Sequence, residues 1–256
     1  MALFSKKNCD VCGGKIGMLG NRKLEDGNLC KDCAKQLSPY FSDRKRSTVA
    51  DIKEQLAYRE ANKADVAAFN VTRTLGTGTK VLLDEDAEKF IVSSAKRWQD
   101  GNPDVLNFSQ VTGCLVDIDE TRNEIMQTDS EGKEKSYTPP RYEHDYDFYI
   151  TIHVNHPYFD QIRYRLNSSS ITVEAPTGRL MIQGGADVGR RSVAYREHEN
   201  LAQEIKDVLT QVRQTVRDNV AAANAPKQAV TCPFCGATTT PDAQGRCEFC
   251  QSAINS

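Results

Sequence analysis

The sequence predicts an α+β protein: a curled antiparallel β-barrel or sandwich, closed by a C-terminal helix and flanked by two small cysteine modules. Three observations carry this prediction. Eight of the nine cysteines fall in four Cys-x-x-Cys pairs, Cys9/Cys12 and Cys30/Cys33 near one end, Cys232/Cys235 and Cys247/Cys250 near the other. Between them, Tyr146, Phe148, Ile150, Ile152 and Val154 alternate with Asp147, Tyr149, Thr151 and His153, as in a strand with one buried face. The period then changes. Leu201, Ile205, Val208, Val212 and Val216 recur at helical spacing, one face of a long amphipathic helix over about 194–221.

In chain order, residues 8–37 form the first cysteine module. Pro39 and the charged run Asp43-Arg44-Lys45-Arg46 follow. A helix is expected over 47–71, opening at Thr48 with Asp51 as its capping-box partner. Its apolar stripe of Ile52, Leu56, Val66 and Phe69 is interrupted by charges, which predicts a largely solvated connector. Leu75-Gly76-Thr77-Gly78 breaks it. Strands are expected at 80–84, 89–94, 104–109, 113–119, 145–154, 160–166 and 171–175, with a return strand at Leu180–Ile182 across Pro176-Thr177-Gly178. One-sided strands of this kind belong to an antiparallel sheet that curls around a core. Residues 221–230 read as a flexible tether. The expected organisation is therefore a four-cysteine module (1–38), a helical linker (39–74), the β domain with its helix (75–222), a linker (223–230) and a four-cysteine ribbon (231–256).

The cysteines point to metal. A Cys-x-x-Cys turn aims two thiolates at one centre, and two such turns complete a tetrahedral site. Seventeen residues separate Cys12 from Cys30 and eleven separate Cys235 from Cys247. Gly13-Gly14 and Gly236 let the turns bend so that backbone N–H groups face the sulfurs. Two structural Zn²⁺ sites are expected, with Cys9, Cys12, Cys30 and Cys33 as one ligand set and Cys232, Cys235, Cys247 and Cys250 as the other. Lys15, Lys31 and Arg246 lie near enough in sequence to offset their charge. Disulfides are the competing reading. Met1-Ala2-Leu3-Phe4 is too short for a secretory signal, so the expectation is a cytoplasmic chain with reduced thiols. Cys114 reads as a buried core residue in the apolar run 114–118.

The 256 residues carry 33 basic and 35 acidic side chains, a net charge of −2 that gives no global attraction to nucleic acid or anionic membrane. Catalytic chemistry is not expected. His153 and His156 flank a turn without needing to converge, and Asp117, Asp119 and Glu120 read as a solvated turn at a strand end. Phe234 and Phe249 are expected to pack the minimal core of the second cysteine module.

Val105-Leu106-Asn107-Phe108-Ser109-Gln110-Val111-Thr112 looks like the strand exit of bacterial pleckstrin-homology-like domains, whose plan of about seven curled strands and one C-terminal helix the centre resembles. Cys9-Asp10-Val11-Cys12-Gly13-Gly14 and Leu24-Glu25-Asp26-Gly27-Asn28-Leu29-Cys30-Lys31-Asp32-Cys33, with the Thr48–Thr72 helix, resemble the bacterial DUF4428 family of unknown function. That resemblance implies zinc on Cys9, Cys12, Cys30 and Cys33 and a bacterial cytoplasmic origin. The C-terminal set looks like a generic zinc ribbon. The expected function is a non-enzymatic adaptor with a protein partner. Nucleic-acid binding and reversible membrane association are the alternatives, the latter through Arg163, Arg165, Arg190 and Arg191.

Overall fold

The computed structural model describes residues 7–175, 189–224, 229–242 and 244–254. The expected strand at Leu180–Ile182 lies outside them. The chain divides into two compact units, Met1–Gln214 and Thr215–Ser256.

The first unit opens with two small antiparallel hairpins, β1 (Lys7–Asn8) with β2 (Lys15–Ile16) and β3 (Arg22–Lys23) with β4 (Asn28–Leu29), followed by helix α1 (Lys31–Gln36). Helix α2 (Val49–Ala68) begins where the sequence predicts, with the reciprocal Thr48/Asp51 capping box formed. It is not a solvated connector. Ile52, Gln55, Arg59, Asn62 and Val66 are buried along one stripe. Ile52 completes an apolar cluster with Cys9, Leu24, Leu29, Cys33 and Leu37.

The polar members of that stripe dock α2 against the next sheet. Arg59 and Asp104 form a buried ion pair at 2.7 Å, with side chains 8% and 0% exposed. Ser38 donates to the other Asp104 oxygen at 2.7 Å. Arg59 also donates to the carbonyls of Gln36 and Asn102, and Asn62 Oδ1 accepts from the Val105 backbone N–H at 3.0 Å. Arg59, Asn62 and Asp104 thus have the partners that burial demands, whereas neither polar atom of the buried Gln55 side chain has a protein partner.

The first large sheet orders β5 (Arg73–Leu75), β6 (Lys80–Asp84), β7 (Lys89–Ser93) and β8 (Leu106–Asn107) as antiparallel neighbours. Runs of consecutive buried residues, Val81–Asp84 and Phe90–Val92, mean that both faces are covered. Gly76, at φ +93°, makes the β5–β6 turn, where a Cβ would meet the Thr79 carbonyl at 2.5 Å.

The second large sheet centres on β10 (Glu134–His156). One edge pairs with β9 (Val111–Thr128), and the other with β11 (Phe159–Arg165) and then β12 (Ile171–Glu174). The predicted alternation holds: Tyr146, Phe148, Ile150, Ile152 and Val154 are buried. β9 and β10 are far longer than the predicted 113–119 and 145–154. Their outer halves carry polar residues that pair across the ladder without a core beneath them, so hydrophobic period gives them no signal. Residues 137–140, which include Pro139 and Pro140, interrupt the register between Ser136 and Arg141.

Neither sheet closes into a barrel among the described residues. β10 is central, and its partner β9 runs outward as a ribbon instead of turning back to β8. Helix α3 (Val193–Asn224) covers the β10 face through Tyr195, whose ring meets Tyr146 at 4.9 Å and Phe148 at 5.1 Å. Glu204 reaches β5 through Arg73 at 2.9 Å. Burial along α3 includes Tyr195, Ala202, Ile205, Val208 and Leu209; Val212 and Val216 are half-buried.

The second unit contains β13 (Val230–Thr231) paired with β14 (Thr238–Thr239), and a bridge between Arg246 and Ala253. Asp242 Oδ1 accepts from the Gln244 and Arg246 backbone, closing the turn between its two cysteine pairs.

Candidate metal centres

The eight predicted ligands come together in two groups of four, Cys9/Cys12/Cys30/Cys33 and Cys232/Cys235/Cys247/Cys250, with all sulfurs of a group within 4.8 Å of one another. Three of the four Cys-x-x-Cys segments share one turn. In the first, Gly13 N–H donates to Cys9 O at 2.8 Å and Cys9 N–H to Gly14 O at 2.8 Å. Cys232–Ala237 repeats this at 2.9 and 2.8 Å, and Cys247–Ser252 at 2.8 and 2.9 Å. Each turn needs a left-handed residue after its second cysteine: Gly13 at φ +73°, Gly236 at +73° and Gln251 at +57°. Gly14 leaves room beside the sulfur, since a Cβ there would sit 3.3 Å from Cys12 Sγ, a tight approach.

The fourth pair is built differently. Cys30 caps α1, and its Sγ accepts the Cys33 backbone N–H at 3.3 Å. The helix N-terminus therefore faces the Cys30 sulfur.

The spacing suits a tetrahedral ion. A Zn–S bond of about 2.3 Å requires sulfurs about 3.8 Å apart. The observed separations are 4.0 Å for Cys9–Cys33, 3.8 Å for Cys12–Cys30, 3.6 Å for Cys232–Cys250 and 3.7 Å for Cys235–Cys247. All nine cysteines are free thiols. Burial alone would raise the Cys9 thiol, but backbone N–H groups of Cys12, Cys30 and Val11 outweigh it and pull it down to about 6. The Ser252 hydroxyl and backbone likewise bring Cys250 to about 6. The residues present fit a four-thiolate metal ion at each centre, which would cross-link segments too short to fold on their own.

Two expectations fail here. Phe234 and Phe249 do not pack a core; they are 70% and 67% exposed. Each occupies the second of the two positions between its paired cysteines and is exposed there, while the buried positions among the described residues of the module go to Cys232, Cys247 and Thr239. The Asp117–Glu120 segment is not a turn but the middle of β9. There Glu120 accepts from Arg190 at 3.2 Å and lies 2.7 Å from His144 Nδ1. Burial would raise its carboxyl, yet His144 and Arg190 hold it below the ordinary range.

The other singled-out residues do not assemble. His156 lies 3.1 Å from the Tyr58 hydroxyl and stacks on Phe159, while His153 faces Gly113. Cys114 is buried, and burial pushes its thiol up to about 11. Arg163 lies over the Tyr149 ring, Arg165 pairs with Asp147 and Arg190 with Glu120, so these arginines are engaged within the fold.

Two four-cysteine groups positioned to bind metal ions, set in an α+β chain, define the class of protein. Residues 7–55 match the family described as "Domain of unknown function (DUF4428)". The match ends just past Ile52, the last buried member of the module's apolar cluster. No curated protein and no solved structure matches the chain. No helix among the described residues is long and apolar enough to cross a membrane.

Proposed function

We propose that this chain is a non-enzymatic, zinc-binding adaptor of the bacterial cytoplasm, in which the C-terminal ribbon recognises a protein. One observation carries the reading. Each knuckle of the ribbon presents a phenylalanine to solvent, Phe234 and Phe249, beside a rigid thiolate centre. Exposed aromatics on a small, metal-fixed scaffold have the character of interface anchors: large apolar area at little cost in conformational entropy. The sheet domain, read as pleckstrin-homology-like from its two antiparallel sheets and C-terminal helix, is the ordered platform. The non-enzymatic part rests on Cys114, whose thiol burial pushes up to about 11, and on ligand groups made of four cysteines each, with no histidine among the described residues of either.

Nucleic-acid binding has weaker support. Residues 229–254 carry one arginine, one aspartate and one glutamate, which supplies no phosphate-binding face. The test is affinity capture from nuclease-treated lysate with the intact chain and with Phe234→Ser/Phe249→Ser, both checked for two bound zinc ions. A protein bound directly by the purified intact chain and lost from the variant supports the adaptor. Identical partners for both variants remove the ribbon from the role.

A further inference from the structure

The two most exposed large hydrophobic side chains among the described residues are neighbours. Met18 and Leu19 are 84% and 89% exposed. They form the tip of a turn between Gly17 and Gly20, closed by the Gly20 N–H donating to Gly17 O at 2.9 Å. Single exposed apolar residues are ordinary; two adjacent ones at a braced tip are not. Arg22 Nη1 donates to the Leu19 carbonyl at 3.3 Å and so ties the tip to what lies beside it.

Beside it is a groove of about 590 Å³ lined by Arg22, Lys23, Arg44 and Lys45, with Asn21, Leu24 and Glu25 completing the wall. Arg44 Nη1 donates to the Lys23 carbonyl at 2.9 Å, which joins two basic segments distant in sequence. None of the four cations forms an ion pair among the described residues, whereas neighbouring Arg46 is paired with Asp43. Lys23 and Lys45 are exposed. An apolar tip rimmed by unpaired cations matches one surface in both respects: a bilayer with anionic headgroups, whose phosphates and carboxylates meet the cations while the tip enters the acyl boundary. A nucleic acid would leave Met18 and Leu19 without a partner.

We propose that the N-terminal module binds anionic lipid membranes, with Met18 and Leu19 as the inserted tip and Arg22, Lys23, Arg44 and Lys45 as the headgroup-binding rim. The proposal uses none of the ribbon's residues, so this inference and the adaptor reading stand or fall independently. Binding is reversible, because two apolar side chains and a few cations do not anchor a chain permanently.

The test is co-sedimentation of the intact zinc-loaded chain with vesicles of phosphatidylcholine alone and of phosphatidylcholine with phosphatidylserine. Binding to the mixed vesicles only, weakened by salt, is expected. Lys23→Gln and Lys45→Gln should each reduce it about fivefold, from roughly 1 kcal/mol per cation. Met18→Ser/Leu19→Ser should reduce it at least about tenfold while leaving zinc content and melting temperature unchanged, since neither side chain packs on the fold. Equal affinity for neutral vesicles, binding indifferent to the tip substitutions, or retention of RNA without any vesicle binding would overturn the proposal.

Discussion

Removing the Asp104 carboxylate should destabilise the first unit far more than its single ion pair would at a surface. Asp104→Ala leaves the Arg59 guanidinium, 8% exposed, buried without its counter-charge and strips the Ser38 hydroxyl of its acceptor. Breaking a buried pair from one side costs about 3–5 kcal/mol. For a unit of this size each kcal/mol moves Tm by about 2–4 °C, so a fall of about 6–20 °C is expected. Thermal unfolding followed by circular dichroism, with zinc content measured alongside, reads it. Arg59→Met/Asp104→Leu should recover most of the loss, because the orphaned charge disappears with its partner. A fall below about 2 °C for Asp104→Ala, or a double variant as unstable as the single one, would refute the argument.

Metal stoichiometry separates the two centres. Cys9→Ser and Cys247→Ser should each lower bound zinc from two ions to one by native mass spectrometry, and only Cys9→Ser should also lower the melting temperature of the sheet domain. The His156 imidazole, held below its ordinary value of 6.5 mainly by burial against the opposing charge of Asp104, makes a pH prediction. The unfolded chain takes up a proton that the folded chain refuses, so this contribution is complete above about pH 6.5 and declines as pH falls through the lower folded value. Melting temperatures measured from neutral to mildly acid pH should fall less steeply for His156→Gln; an identical slope would assign the acid sensitivity elsewhere.

The grouping of eight cysteines into two sets of four was legible, because Cys-x-x-Cys spacing encodes geometry directly. So were the buried face of 146–154, the α2 cap and the stripe of α3, which follow from period alone. What the sequence concealed about α2 follows from the burial of groups that periodicity counts as polar. Gln55, Arg59 and Asn62 sit in the α2 stripe but do not register as apolar, so a docked helix reads as a solvated one. The outer ribbon of β9 and β10 fails for the opposite reason, being extended through backbone pairing where neither face is buried. Phe234 and Phe249 mislead because an aromatic in a small module suggests a core, whereas the knuckle turn fixes its direction outward.

Helix α1 has a role larger than its six residues. Its first carbonyl belongs to a metal ligand, Cys30, and the Gln36 carbonyl at its far end accepts from Arg59 Nε at 3.3 Å. An empty first centre therefore releases not only a loop but one of the acceptors that keep a buried guanidinium in place. Metal supply and fold integrity are joined at that residue. Stripping the metal is therefore predicted to open the first unit to proteolysis, which limited digestion with and without a chelator would read.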